Sequence, residues 1–178
     1  MNQRRLNNLA AAIALSLIAT GAQAAGKVDL QKQNLNQLKQ QYNAAVAAKG
    51  AIAPMAHARH AQLLGADANT HLLMKDKHED LGVRNYRYNQ SFRGVPIYGE
   101  GVVVSEDADG NVRALFGNMI TGLERDIPSI APKLSKAQAL VAGKRAGLGN
   151  RLSGMQIENE SSDLVVFIDD AGRGHLAY

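Results

Sequence analysis

The segment from Tyr86 to Ile120 narrows the choice of fold more than any other part of the chain. Tyr86, Tyr88 and Gln90 alternate with Arg87 and Asn89, the period-two pattern of a half-buried strand. Phe92-Arg93-Gly94-Val95-Pro96 follows. It reads as a turn, because glycine tolerates positive φ and proline cannot pair within a sheet. Ile97 to Ser105, with the run Val102-Val103-Val104, reads as the next strand. Asp107-Ala108-Asp109-Gly110-Asn111 turns the chain, and Val112 to Met119 returns as an antiparallel partner. With a strand opening at Leu72-Leu73-Met74, this is a meander of three or four strands.

Helical periodicity surrounds that meander. Leu35, Leu38, Tyr42 and Ala45 or Val46 recur at three- and four-residue spacing, with Asp29 placed to cap the start and Gly50 to end it. A second short helix fits Pro54 to Leu64, with Gly65 after its end. Ile127-Pro128-Ser129-Ile130-Ala131-Pro132 reads as a linker. Beyond it, Ser135 and Gln138 form a capping box for a helix running to Gly147. Ile157 opens a short strand and Leu164 to Ile168 forms a clear one. Asp169-Asp170-Ala171-Gly172 turns the chain, and His175 to Tyr178 begins a return. The expected class is α+β: two small antiparallel-sheet-plus-helix subdomains, the second incomplete, after a signal peptide.

The signal is read from residues 1–24. Arg4 and Arg5 precede an apolar run from Leu9 to Ala19, and Ala22-Gln23-Ala24 offers small residues where a signal peptidase cuts, between Ala24 and Ala25. The run is shorter than the ~20 residues a bilayer span needs. Removing residues 1–24 takes two of the 20 basic groups and none of the 16 acidic ones. The remainder is then 18 against 16, near neutrality, which argues against nucleic acid as a partner. No membrane association is expected once the signal is removed. The 178 residues contain no Cys, so disulfides, thiolate metal sites and a Cys nucleophile are all excluded.

Reactive constellations are scarce. His57 and His60 lie three apart on a helical stretch, with His71, His78 and Glu79 following, but no H-E-x-x-H occurs. Solvent-facing polar residues are the simpler reading of these histidines. Asp107, Asp109 and Asn111 imitate a calcium loop, but Val112 and Asn118 stand where that loop needs Gly and Glu. No G-x-S-x-G elbow or phosphate-cradling glycine loop is present. Asp169 and Asp170 sit together in a turn open to water. The residues alone describe an exported α+β module without a catalytic motif.

The stretch from Tyr86 through Val104, with Asp109-Gly110-Asn111-Val112 and Gly117-Asn118-Met119-Ile120 after it, resembles the fungalysin/thermolysin propeptide motif. That pattern is an aromatic- and Gln-bearing strand, a [KR]-G-[IV]-P turn and a Val-rich strand ending in an acidic glycine turn. Leu134-Ser135-Lys136-Ala137-Gln138-Ala139, Leu164-Val165-Val166-Phe167 and Leu176-Ala177-Tyr178 are similar to a PepSY domain.

The resemblance implies the pro-region of a secreted zinc endopeptidase similar to thermolysin, vibriolysin and pseudolysin. It would act as intramolecular chaperone and inhibitor of a protease domain that these residues lack. Zinc is expected only in that domain, so this chain needs no cofactor. The implied segments are a signal over 1–24, a helical segment over 25–65, the propeptide-like domain over 66–126, a linker over 127–133 and the PepSY-like domain over 134–178. The partner is a thermolysin-like protease domain, in cis or in trans. The turn motif supplies the candidate site residues Phe92, Arg93, Gly94, Val95, Pro96, Tyr98 and Glu100, of which Phe92, Arg93 and Tyr98 are the expected interface. The competing reading has Gly94 and Pro96 shaping the turn and Tyr98 filling the core. Two other functions stay open: a freestanding exported inhibitor acting in trans, and an exported metal-binding protein or hydrolase using the histidines.

Overall fold

A computed structural model describes residues 25–49, 55–148 and 161–178. The signal expected over residues 1–24, Gly50, Pro54 and the strand expected at Ile157 lie outside the described residues. The strands are β1 (Gly26–Asp29), β2 (Thr70–Asp80), β3 (Val83–Phe92), β4 (Val95–Glu106), β5 (Val112–Thr121), β6 (Val165–Ile168) and β7 (Gly174–Ala177). The helices are α1 (Leu35–Lys49), α2 (Ala56–Leu63) and α3 (Lys136–Leu148). This is the α+β class expected from the sequence.

The strands form one mixed, curled sheet in the order β1-β5-β4-β3-β2. β6 joins β4 in parallel through Ile97 and Val166, and β7 pairs antiparallel with β6. The second pair of strands therefore extends the first sheet instead of standing on a sheet of its own.

Two hairpins fix the register. Leu81 and Gly82 turn β2 into β3 with φ of 47° and 76°, and Arg93 and Gly94 turn β3 into β4 with φ of 48° and 85°. Positive φ at both central residues is the type I′ turn, whose twist matches that of the flanking strands. Leucine disfavours that conformation, so the first hairpin is hard to see in the sequence. β2 consequently runs well past Met74, to Asp80.

Two apolar clusters fill the fold. Tyr86, Tyr88, Val102, Val104, Leu115 and Met119 point to one face, where Leu30, Leu63 and Leu64 cover them. Phe92, Val95, Ile97 and Ile120 pack with Leu123, Ile127 and Val166 at the other end. Ile127 thus anchors the proline-bracketed segment in the core, although that segment joins neither sheet nor helix.

Caps follow the expected chemistry with one shift. Asp29 caps a 3₁₀ turn over Leu30–Lys32, accepting the Gln31 N–H at 3.1 Å. Asn34 caps α1 by accepting the Gln37 N–H at 3.1 Å. The Ser135–Gln138 box closes reciprocally over 3.2 and 2.9 Å. Among the described residues no helix is long and apolar enough to cross a membrane.

Candidate functional site

The turn motif divides into residues that point inward and residues left on the surface. Phe92 is fully buried and Val95 nearly so. Arg93 holds positive φ without being glycine, and its own contacts explain how. Its N–H donates to the Asn69 carbonyl at 2.7 Å. Its guanidinium donates to Asn69 Oδ1 at 3.3 Å and to the Pro128 carbonyl at 3.0 Å. The same group lies over the Phe92 ring, 4.9 Å from its centroid. Arg93 therefore clamps the hairpin to the loop before β2 and to the segment after β5.

Glu100 also turns to internal use. Its carboxylate pairs with Lys27 of β1 and accepts Asn118 Nδ2–H at 3.1 Å, tying β4 to β5 and β1. Gly94 is exposed and serves the turn, and Pro96 is exposed beside it. Tyr98 is 66% exposed, so it does not fill the core. Of the three residues expected at an interface, Tyr98 alone presents its ring to solvent.

Gln90 carries a role that its place in the alternation does not announce. β4 leaves the β3 ladder between Gly101 and Pro96, where the register shifts. The fully buried Gln90 side chain bridges that gap. It donates to the Asn118 carbonyl at 2.7 Å and accepts the Ile120 N–H at 2.9 Å, acting as a substitute ladder rung to β5. Gly117 lies opposite Val102 at φ 90°, and a Cβ there would stand 2.1 Å from the Gly101 carbonyl oxygen.

A polar cluster lies under α2. His60 is 2% exposed, which corrects the solvent-facing reading of that histidine. Its Nε2 stands 2.8 Å from Glu106 Oε1 and its Nδ1 2.6 Å from the Tyr88 hydroxyl. A carboxylate only accepts, so Nε2 carries the proton and Nδ1 accepts from Tyr88. Arg59 donates to the same Glu106 oxygen at 3.3 Å. Burial is the main cause holding His60 below its ordinary pKa, against the opposing pull of Glu106. Burial likewise pushes the Tyr86 and Tyr88 phenols up.

Beside the cluster a cleft of about 270 Å³ is lined by Lys39, Tyr42, Asn43, Arg59, Glu106 and Asn111, among others. Among the described residues the Tyr42 hydroxyl and Glu106 Oε2 have no hydrogen-bond partner. Its lining and volume suit ordered water. Glu106 was not apparent as a buried group from the sequence. It does continue the inward series Val102, Val104 at a spacing of two, and that was the available signal.

The histidines do not converge. Among the described residues no three His, Asp or Glu side chains could hold a metal ion together. The Asp107 loop is a hairpin turn: Asp107 accepts the N–H groups of Asp109 and Asn111 at 3.1 and 2.8 Å.

The face of the sheet opposite α2 is different. Val103 and Phe116 are paired across β4 and β5, with Arg87 beside them on β3. Leu73 lies on the same face of β2. Leu73 and Phe116 are 48% and 43% exposed. Tyr98 adds a further exposed aromatic on β4, and Phe167, 45% exposed, adds one on β6.

One hairpin closed by a tight Arg-Gly turn, a Val-rich β4 and a glycine-tightened β5 form the centre of this α+β sheet. Residues 70–119, which build β2 through most of β5, match the Fungalysin/Thermolysin Propeptide Motif. The matched segment is 50 of the chain's 178 residues. The chain is 36% identical over 93 residues to the hemagglutinin/proteinase of Vibrio cholerae serotype O1, covering 52% of this chain and 15% of that protein. It is 30% identical over 94 residues to the neutral protease of Vibrio proteolyticus, again covering 52% of this chain and 15% of the relative. The similarity thus spans about a seventh of each relative's length and falls in the propeptide part.

Proposed function

We propose that this chain is an exported pro-region that binds a thermolysin-like protease domain, assists its folding and holds it inactive. The observation that carries this reading is the propeptide motif over residues 70–119, in a chain similar to two Vibrio proteases. The exposed Leu73 and Phe116, with half-buried Val103 paired to Phe116, and the exposed Tyr98 on β4 support it as the docking surface, because apolar side chains on a sheet face gain by being covered. Folding assistance follows from linkage: a partner that binds the native-like protease surface and not the unfolded chain shifts the equilibrium toward the fold. If both segments share one polypeptide, the tether raises their effective concentration, and cutting it removes that advantage. Export rests on the signal pattern of residues 1–24, with cleavage between Ala24 and Ala25.

The test is to measure hydrolysis of a peptide substrate by the Vibrio cholerae hemagglutinin/proteinase while this chain is titrated in. Concentration-dependent inhibition is expected, and Phe116→Asp and Tyr98→Asp should each weaken it about tenfold, the effect of ~1.4 kcal/mol. No inhibition at micromolar chain would refute an inhibitory role on that protease. Inhibition untouched by either substitution would move the interface elsewhere.

A further inference from the structure

We infer that Asp126 is a built receptor for the chain's own α-ammonium group, created when cleavage makes Ala25 the first residue. This rests on the export reading. The Ala25 nitrogen lies 3.1 Å from Asp126 Oδ2, across 101 residues of sequence. The Gly174 N–H donates to the same oxygen at 2.8 Å, so the backbone of β7 fixes the carboxylate in place. Ala25 is 7% exposed and packs in the cluster of Phe92, Ile120, Leu123 and Val166.

A Cβ on Gly172 would reach 3.7 Å from the Ala25 carbonyl, and one on Gly26 would come 3.1 Å from Thr121 Oγ1. One acidic side chain therefore gathers the start of β1, the start of β7 and the segment after β5.

The sequence places the cut at the bond where this contact begins. Before cleavage the Ala25 nitrogen is a neutral amide with one proton to donate. Hydrolysis of the Ala24–Ala25 peptide bond adds water across it. The Ala24 carbonyl becomes a carboxylate and the Ala25 nitrogen an ammonium with three N–H donors. A charge-assisted hydrogen bond is about twice as strong as a neutral one. Cleavage acts on the nascent chain before folding buries Ala25, and the contact then forms with the fold. Removal of the signal thereby completes an internal ion pair in the region where the sheet closes onto β6 and β7.

The experiment uses the exported product of the full gene. N-terminal sequencing first tests the export reading: Ala25 as the first residue upholds it, and any other start overturns that reading and this site together. On an Ala25-initiated product, the α-amine is labelled with an amine-reactive reagent near neutral pH, natively and in urea, and the labelled N-terminal peptide is quantified. Seating on Asp126 predicts labelling at least about tenfold slower in the native state, equivalent to a unit rise in the amine pKa. Asp126→Asn should abolish that protection and lower Tm by several degrees. Labelling as fast in the folded protein as in urea overturns the inference while leaving export intact. Native protection that persists in a folded Asp126→Asn variant overturns it as well.

Discussion

Replacing Gly117 by alanine tests the architecture of the motif at its tightest point. Two costs add. At φ 90° an L-residue pays about 1–2 kcal/mol or more for its Cβ. The new methyl would also stand 2.1 Å from the Gly101 carbonyl oxygen and 3.1 Å from its carbon, both backbone atoms in the facing strand. Relief requires moving β4 away from β5, and overpacking of that kind costs a further ~1–3 kcal/mol. The reduced entropy of the unfolded chain returns only about 0.4–1 kcal/mol. The sum is a loss of roughly 1–5 kcal/mol, a large share of the ~5–15 kcal/mol that holds a domain together.

Gly94→Ala is the matched control. Its φ is 85°, yet nothing lies within 4 Å of an added Cβ, so the conformational cost alone applies and the net loss should be about 1 kcal/mol. Urea denaturation of both variants, with m-values compared, separates the contributions. Equal losses for Gly117→Ala and Gly94→Ala would refute the close approach of β4 and β5 as the reason for glycine at 117.

Other perturbations follow from the same contacts. Gln90→Ala strands the buried Ile120 N–H and the Asn118 carbonyl and should cost about 2–4 kcal/mol by chemical denaturation. Arg93→Ala should cost about 1–3 kcal/mol through lost bonds to Asn69 and Pro128, and faster amide exchange around residues 127–132 would report the released segment. Because burial lowers the His60 pKa, the unfolded state binds more protons below its ordinary value near 6.5. Stability is then full above that pH and falls as pH drops from there toward the folded value, a slope that a folded His60→Gln variant should lose. Asp169 is held down to about 2, chiefly by the Arg173 N–H and then by His175, so it stays ionised across that window and does not imitate the effect.

Elements whose local chemistry and packing agree are legible in the sequence. The alternation at Tyr86, Tyr88 and Gln90, the Arg93-Gly94 turn, the Val102–Val104 run and the Ser135–Gln138 box each appear where their residues place them. What escapes the sequence depends on distant partners. β1 is four residues long and exists because Gly26 to Asp29 pair with Thr121 to Asn118. β6 lies in parallel on β4, a pairing that no local pattern encodes.

The same divide runs through the site. The motif residues were identifiable, but which of them face inward was not, since Arg93 and Glu100 find their partners on Pro128 and Lys27. His60 lies on a short helix of weak amphipathicity, so its burial became visible only with Glu106 and Tyr88 in place.

The central claim is that this chain recognises a thermolysin-like protease domain, and refolding tests it most directly. The protease domain of the Vibrio cholerae relative would be diluted from denaturant alone, with this chain, and with the chain carrying Phe116→Asp. Recovered protein and peptidase activity would be followed after the added chain is removed. The account predicts a several-fold higher yield of folded protease with the unaltered chain, suppressed activity until that chain is removed, and a reduced effect for the variant. Equal yields in all three samples, with no complex detectable by size-exclusion chromatography, would contradict it for this protease.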